Sequence, residues 1–302
     1  MRPHAKINLG LRILGVRRDG YHEIRTRFQS VDLTDTLEFE KAPREVDLRV
    51  EGAPLPADRS NLVMKAAEAL REGRPGLPGA KIRLTKSIPL AAGLGGGSSD
   101  AATTLLGLNR LWRLGLGPED LRRIASGLGA DVPFFLEGGT ALGEGRGDEI
   151  RSLPDLRGYR ICMILAPYGF STLEAYRQWD LRPALPEGAA AATGSTPGPS
   201  LVEVPGNETS ETVHNDLQDV VFAIHPELKD FQDLLYRAGA QAASLSGSGP
   251  SLFGLFRSAE QAHAFRISRE WAPFRVLECT PVTRGGYQKA LGLGPAADAG
   301  SS

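Results

Sequence analysis

The chain has 302 residues, 41% of them hydrophobic and 24% charged, with 35 basic residues against 36 acidic ones for a formal net charge of −1. That length supports a large core in one or two domains, and the near-neutral balance offers no general pull toward nucleic acid or a membrane surface, so an anionic ligand would have to be held by local groups. Cys162 and Cys279 stand apart and the five histidines form no His-Glu-x-x-His, which excludes a disulfide framework and a common zinc site.

In chain order, Ile7, Leu9, Leu11 and Ile13 alternate with Lys6, Asn8, Gly10 and Arg12, which predicts a strand over 5–14 with Lys6 and Asn8 on one side. No hydrophobic leader precedes it and no apolar run reaches membrane-spanning length, so a cytoplasmic location is expected. Arg18-Asp19-Gly20 signals a turn, followed by strands predicted over 21–31, 35–40 and 46–50. Leu62, Met64, Ala66, Ala67 and Leu70 predict a helix over 61–71, and a strand over 81–87 is ended by Pro89.

Next comes Ile88-Pro89-Leu90-Ala91-Ala92-Gly93-Leu94-Gly95-Gly96-Gly97-Ser98-Ser99-Asp100, which runs into a helix marked by Ala101, Leu105, Leu108 and Trp112. Ser98, Ser99 or Asp100 is the expected cap. Helix starts expose unpaired N–H groups and glycines let an anion approach them, so the run outlines a phosphate cradle. One dipole contact contributes only about 0.3–1 kcal/mol, so several must converge. The string is not a Walker A loop, since no lysine follows Gly97, nor a dinucleotide fingerprint, since Ser98 occupies the third glycine position. His-Arg-Asp and Asp-Phe-Gly triplets are absent, which excludes a protein kinase.

A helix opening at Pro118 and stopping at Gly127 and Gly129 leads into Gly129-Ala130-Asp131-Val132-Pro133. Short strands are predicted over 134–136 and past Gly138-Gly139. The pattern changes near 145–155 ahead of a strand over 161–165, which divides the chain into domains at 1–150 and 151–302. The stretch 183–213, rich in Ala, Gly, Pro, Ser and Thr, reads as a flexible insert. Regular structure resumes at His214-Asn215-Asp216-Leu217, with a helix over 227–239, the turn Ser246-Gly247-Ser248-Gly249 and a strand over 251–256.

Asp131 is the leading candidate for orienting a reacting hydroxyl, because it lies past a helix end where Pro133 restricts the backbone and little competes for the carboxylate. A lone loop aspartate more often serves a turn. Lys6 is its natural cationic partner, against the common alternative of a lysine on a wet sheet face. Tyr21 and His22 follow a hairpin turn and combine a stackable ring with an imidazole. Asn61 is placed as a helix cap.

Read as whole strings, these segments resemble the GHMP kinases, and the Gly-Leu-Gly-Gly-Gly-Ser-Ser-Asp-Ala-Ala loop with Asp19-Gly20-Tyr21-His22 resembles the branch whose substrate carries a cytidine diphosphate group. The resemblance implies an α/β (α+β) two-domain fold, with a left-handed βαβ unit in the first domain and a ferredoxin-like second domain; periodicity alone would favour a right-handed crossover. It implies ATP-dependent phosphorylation of the substrate's 2-hydroxyl in isoprenoid precursor synthesis, with Mg2+ and with Lys6 and Asp131 as catalytic residues. ATP contacts would come from Asn61, the loop residues Pro89, Leu90, Ala91, Ala92, Gly93, Leu94, Gly95, Gly96, Gly97, Ser98 and Ser99, and Ser248. Asn8 would lie by the hydroxyl, Tyr21, His22 and Tyr176 around the base, and Ser99 on the metal. A monomer or homodimer with a small-molecule substrate is expected, without nucleic acid or membrane as partner. Whether Asp131 removes the proton or only orients the hydroxyl stays open, as loose phosphoryl-transfer transition states ask little of a base. The rival readings are another small-molecule GHMP kinase and a silent nucleotide-binding protein on the same fold.

Overall fold

The computed structural model describes residues 1–182 and 213–294. The expected insert over 183–213 therefore lies, apart from Val213, outside the described residues. β1 (His4–Val16) and β2 (His22–Thr34) form a long antiparallel hairpin in which Lys6 faces Ser30 and Asn8 faces Phe28. β3 (Thr36–Ala42), β4 (Val46–Glu51), α1 (Leu62–Arg71) and β5 (Gly79–Thr85) follow. They build a sheet ordered β3-β5-β4, in which β4 and β5 run parallel on either side of α1 as a βαβ unit. α1 begins where predicted because the Asn61 side chain accepts the Val63 amide at 2.9 Å.

The helix after the glycine run, α2 (Gly96–Trp112), starts earlier than the serines suggest. Its cap is Gly95, in the left-handed region at φ 68°, with no side-chain cap bond, and Ser99 and Asp100 are buried inside the helix. A Cβ at Gly95 would lie 2.8 Å from the Phe135 ring, so glycine alone permits both that backbone and that packing. α3 (Pro118–Leu128) leads to a 3₁₀ turn over Pro133–Leu136 where a strand was expected. Phe134 and Phe135 are both fully buried, and Pro133 at the first position of the turn suits helical rather than extended backbone. β6 (Thr140–Glu144) and β7 (Glu149–Ser152) complete the sheet β1-β2-β6-β7, so a cut after residue 150 falls inside β7.

β8 (Arg160–Leu165), α4 (Thr172–Asp180), α5 (Gln218–Ile224), α6 (Pro226–Arg237), β9 (Ala242–Leu245), β10 (Leu252–Phe256), α7 (Ala259–Ile267) and β11 (Arg275–Cys279) form the second unit. Its sheet order is β11-β8-β10-β9 with every neighbouring pair antiparallel. With α6 and α7 as its crossovers, that is the ferredoxin-like arrangement. The chain then returns through α8 (Arg284–Ala290), whose Tyr287 is buried in the core with Phe134 and Phe135 and donates to the Phe135 carbonyl at 2.6 Å.

One packing decision positions the cleft. Ala5, Ile7 and Leu9 of β1 share a buried cluster with Ile88 and Leu94 of the loop and with Ile161, Met163, Phe253 and Leu255 of the second sheet. Each fully buried side chain of this size contributes about 1.5–3 kcal/mol. Ala5, Ile7 and Leu9 are thereby committed to the junction between sheets, and strand alternation turns Lys6 and Asn8 to the other side.

Candidate active site

A cavity of about 760 Å³ lies between the β1–β2 hairpin, the start of α2, the turn after β9 and α4. Lys6, Asn8, Asp131, Tyr21, His22, Tyr176 and Ser248 all line it, together with Ala91, Gly93, Gly95, Gly96, Gly97 and Ser98 of the loop. Pro89, Leu90, Ala92, Leu94 and Ser99 are not part of its wall. Leu94 and Ala92 are buried in the core cluster at the junction, and Leu90 is 41% exposed to solvent.

Lys6 is almost wholly buried, and an ammonium in that environment requires polar partners. It has them: Nζ donates to Asn8 Oδ1 at 2.5 Å, lies 3.4 Å from Asp131 Oδ2 and sits 5.6 Å from the centre of the Phe28 ring. The wet-face alternative for Lys6 is thus excluded. Asn8 is fixed in turn by donating to Thr26 Oγ1 at 2.7 Å, whose hydroxyl donates to the Gly10 carbonyl at 2.7 Å. The Asp131 side chain keeps 34% of its surface open, so its carboxylate faces the cavity with a fixed cation behind it. Asp131 follows the end of α3, and the paired phenylalanines after it anchor that segment in the core.

The second unit closes over the loop. A Cβ on Gly93 would come within 2.3 Å of the Ser246 carbonyl oxygen, one on Gly247 within 3.1 Å of Asn8 Oδ1, and Ser246 Oγ donates to the Gly93 carbonyl at 3.2 Å. Asn215 holds the turn by donating to the carbonyls of Leu245 at 2.9 Å and Gly247 at 2.7 Å. Ser248 is tied to Thr172 at the start of α4, hydroxyl to hydroxyl at 2.8 Å. The first-turn amides of α2, the Lys6 ammonium and the Asp131 carboxylate consequently face one space, which suits an anion with a reacting hydroxyl beside it.

At the other end, the ring facing Tyr176 is His22, stacked at 4.6 Å, rather than Tyr21. Tyr21, at the hairpin tip, is 56% exposed and lies under the Arg146 guanidinium at 5.1 Å. His22 Nε2 is 2.8 Å from Asp180 Oδ1. A carboxylate only accepts, so this nitrogen carries the proton, and in the neutral ring Nδ1 is then the acceptor. Burial first, and then the charges of Asp131 and Asp216, push the Tyr176 phenol well above its ordinary range and keep it a donor.

Asn61 lies outside this wall. Its amide oxygen caps α1, its nitrogen donates to the Pro56 carbonyl at 2.8 Å, and its neighbour Leu62 lines the cavity. Thr26, Arg146 and Asp180 line the cavity as well, and no sequence motif points to them. Asp180 carried a usable signal only in its spacing, since it lies four residues after Tyr176 on one helix face; Arg146 and Thr26 carried none. Ser99, the residue expected on the metal, is fully buried and away from the cavity wall. Ser99 therefore does not fit the ligand role.

Beneath the loop, Lys86 is buried between two carboxylates, donating to Asp35 Oδ2 and, at 2.7 Å, to Asp100 Oδ2. Asp35 also accepts the amides of Ser87 at 2.5 Å and Ile88 at 2.8 Å, which ties β5 to the start of α2. Burial raises the Asp100 carboxyl to about 7, with Lys86 opposing the shift. A carboxyl raised in this way favours the folded state below its unfolded value, and that contribution is lost as pH rises toward 7. Asp100→Asn removes the titration, so its Tm relative to the parent chain is expected to rise between pH 5 and pH 8. Parallel Tm profiles in thermal melts would reject this account.

A family model described as the GHMP kinases N terminal domain matches residues 61–139, and one described as GHMP kinases C terminal matches residues 206–273. The chain is 41% identical over 272 residues to the 4-diphosphocytidyl-2-C-methyl-D-erythritol kinase of Moorella thermoacetica, an alignment covering 86% of this chain and 90% of the relative. It is 42% identical over 261 residues to the enzyme of that name from Pelotomaculum thermopropionicum, covering 85% and 89%. The crystal structure of a 4-(cytidine 5'-diphospho)-2C-methyl-D-erythritol kinase superposes with a TM-score of 0.71 at 33% identity, over 92% of this chain and 98% of the other. Homoserine kinase from Cytophaga hutchinsonii, at 22% identity and a TM-score of 0.68, covers 92% of this chain and 94% of its own and shares the fold.

Proposed function

We infer the reaction from the family to which this chain belongs, the 4-diphosphocytidyl-2-C-methyl-D-erythritol kinases within the GHMP kinases. The chain is an ATP-dependent small-molecule kinase of isoprenoid precursor synthesis, and it transfers the γ-phosphoryl group of ATP to the 2-hydroxyl of 4-diphosphocytidyl-2-C-methyl-D-erythritol. The observation that carries this reading is the Lys6–Asp131 pair, 3.4 Å apart, opening on the same cavity as the glycine-built start of α2.

The loop amides from Gly93 to Ser98 grip the triphosphate, and the Ser246–Gly249 turn covers it. Asp131 accepts a hydrogen bond from the substrate hydroxyl and directs it at the γ-phosphorus, while Lys6 offsets charge that grows on the transferring group. Asn8 fixes the Lys6 ammonium and borders the same hydroxyl. Mg2+, when bound, would supply neutralising charge to the phosphates, and no protein ligand is assigned to it. Asn61 belongs to the adenine side through the α1 start it caps. The unpaired, buried cysteines support a reducing compartment such as the cytoplasm.

Base selection follows from the His22–Asp180 contact. An acceptor at Nδ1 matches the 4-amino group of cytosine and opposes the 4-oxo group of uracil, and the remote base helps to place the hydroxyl. With ATP, kcat/KM for the cytidine substrate is expected to exceed that for its uridine counterpart by at least about tenfold. Equal values in a coupled ADP-release assay would remove base recognition from this reading and favour a GHMP kinase with a different alcohol.

A further inference from the structure

A second cavity, of about 420 Å³, shares no lining residue with the cleft. It lies where β8 begins, β10 ends and β11 leaves its sheet, and Arg157, Arg160 and Arg257 line it with Tyr159, Thr280 and Thr283. None of the described residues in its wall is acidic. The guanidinium of Arg257 is held 4.0 Å from the centre of the Tyr159 ring, a stack that fixes its plane and its direction. Arg160 pairs with Phe256 in the β8–β10 ladder, which places it beside Arg257. Arg157 has a carboxylate nearby, Asp155 at 3.7 Å, but that group also accepts the Arg284 amide at 2.9 Å.

Gathering three guanidinium groups around one concavity costs repulsion that a bound anion would reverse, and planar forks with five donors each are matched to phosphate oxygens. Ala259, the first residue of α7, adds the positive end of that helix to the wall. The volume lies within the range of small-molecule sites and exceeds the needs of a bare phosphate. We propose that this cavity is a second anion site, one that binds a phosphate- or diphosphate-bearing small molecule through Arg157, Arg160 and Arg257. Its floor also touches the catalytic hairpin. Pro281 bridges to Val31, and the Val282 amide donates to the Ser30 carbonyl at 2.8 Å, opposite Lys6 in the hairpin register.

The test is calorimetric titration of the full chain with inorganic pyrophosphate, without magnesium and with the cleft filled by a single molar equivalent of ADP, which leaves the second site open. The expected result is one further equivalent bound, weakened by added salt and weakened at least about tenfold in Arg257→Gln and in Arg160→Gln. The second variant leaves the Arg257–Tyr159 stack in place, and both side chains are exposed, so Tm and kinase turnover in the absence of pyrophosphate are expected to stay at parental values. A parallel titration with methyl diphosphate separates the two sources of the anion: tighter binding than pyrophosphate identifies an organic ligand, and equal binding an inorganic one. Absence of a further equivalent, or affinity unchanged in both variants, would overturn the proposal.

Discussion

Asp131→Ala is expected to lower kcat by at least about a hundredfold while ATP binding stays within a few-fold of the parent chain. The carboxylate is partly open to the cleft, faces the Lys6 ammonium at 3.4 Å and follows the end of α3. Its removal therefore takes away the group that directs the hydroxyl without disturbing the amides that hold the nucleotide. Some stability is lost as well, since the buried Lys6 ammonium then keeps Asn8 and the Phe28 ring but no carboxylate among the described residues close by. Asp131→Asn separates two roles: an amide can still accept a hydrogen bond and orient the hydroxyl but cannot take its proton. Single-turnover kinetics with ATP affinity measured in parallel provides the check. A kcat within a few-fold of the parent would reject the role assigned to Asp131, and a parent chain that turns over no substrate would favour the silent-binder alternative.

The second large effect is expected from Gly93→Ala. This residue has φ 74° and its Cβ would fall 2.3 Å from the Ser246 carbonyl oxygen and 3.1 Å from that of Gly249. The strained backbone alone costs about 1–2 kcal/mol. Backbone atoms cannot swing aside as a flexible side chain does, so the loop and the turn after β9 must part. kcat/KM for ATP is expected to fall at least about a hundredfold, with a lower Tm. Gly127→Ala is the internal control, because Gly127 lies in α3 away from the cavity wall and a Cβ there would meet no atom within 4 Å. A Gly93→Ala enzyme with the parental KM for ATP would remove the loop from the phosphate grip.

Periodicity gave the strands and helices well wherever one face is buried. α1 and β1 are cases in point, since alternation and helical spacing report directly on which side meets the core. It failed at the 134–136 segment, where both phenylalanines are buried in a short turn, and at the start of α2, where a glycine in place of a side chain caps the helix. Local strings such as Gly-Ala-Asp-Val-Pro mark a residue of interest, but they carry no distances.

The order of residues along the chain determined on its own the strand carrying Lys6 and Asn8, the glycine-rich entry into a helix and the loop carboxylate at Asp131, because each is a short-range pattern of apolar spacing and backbone freedom. Only the folded chain decided that these three meet. The packing of Ile7 and Leu9 against the second sheet turns Lys6 toward Asp131, and the Asn215-held turn closes on Gly93. It likewise decided that Tyr176 faces His22 and that three arginines share one concavity. Contacts between residues more than a hundred positions apart depend on how sheets pack, and no local pattern encodes that.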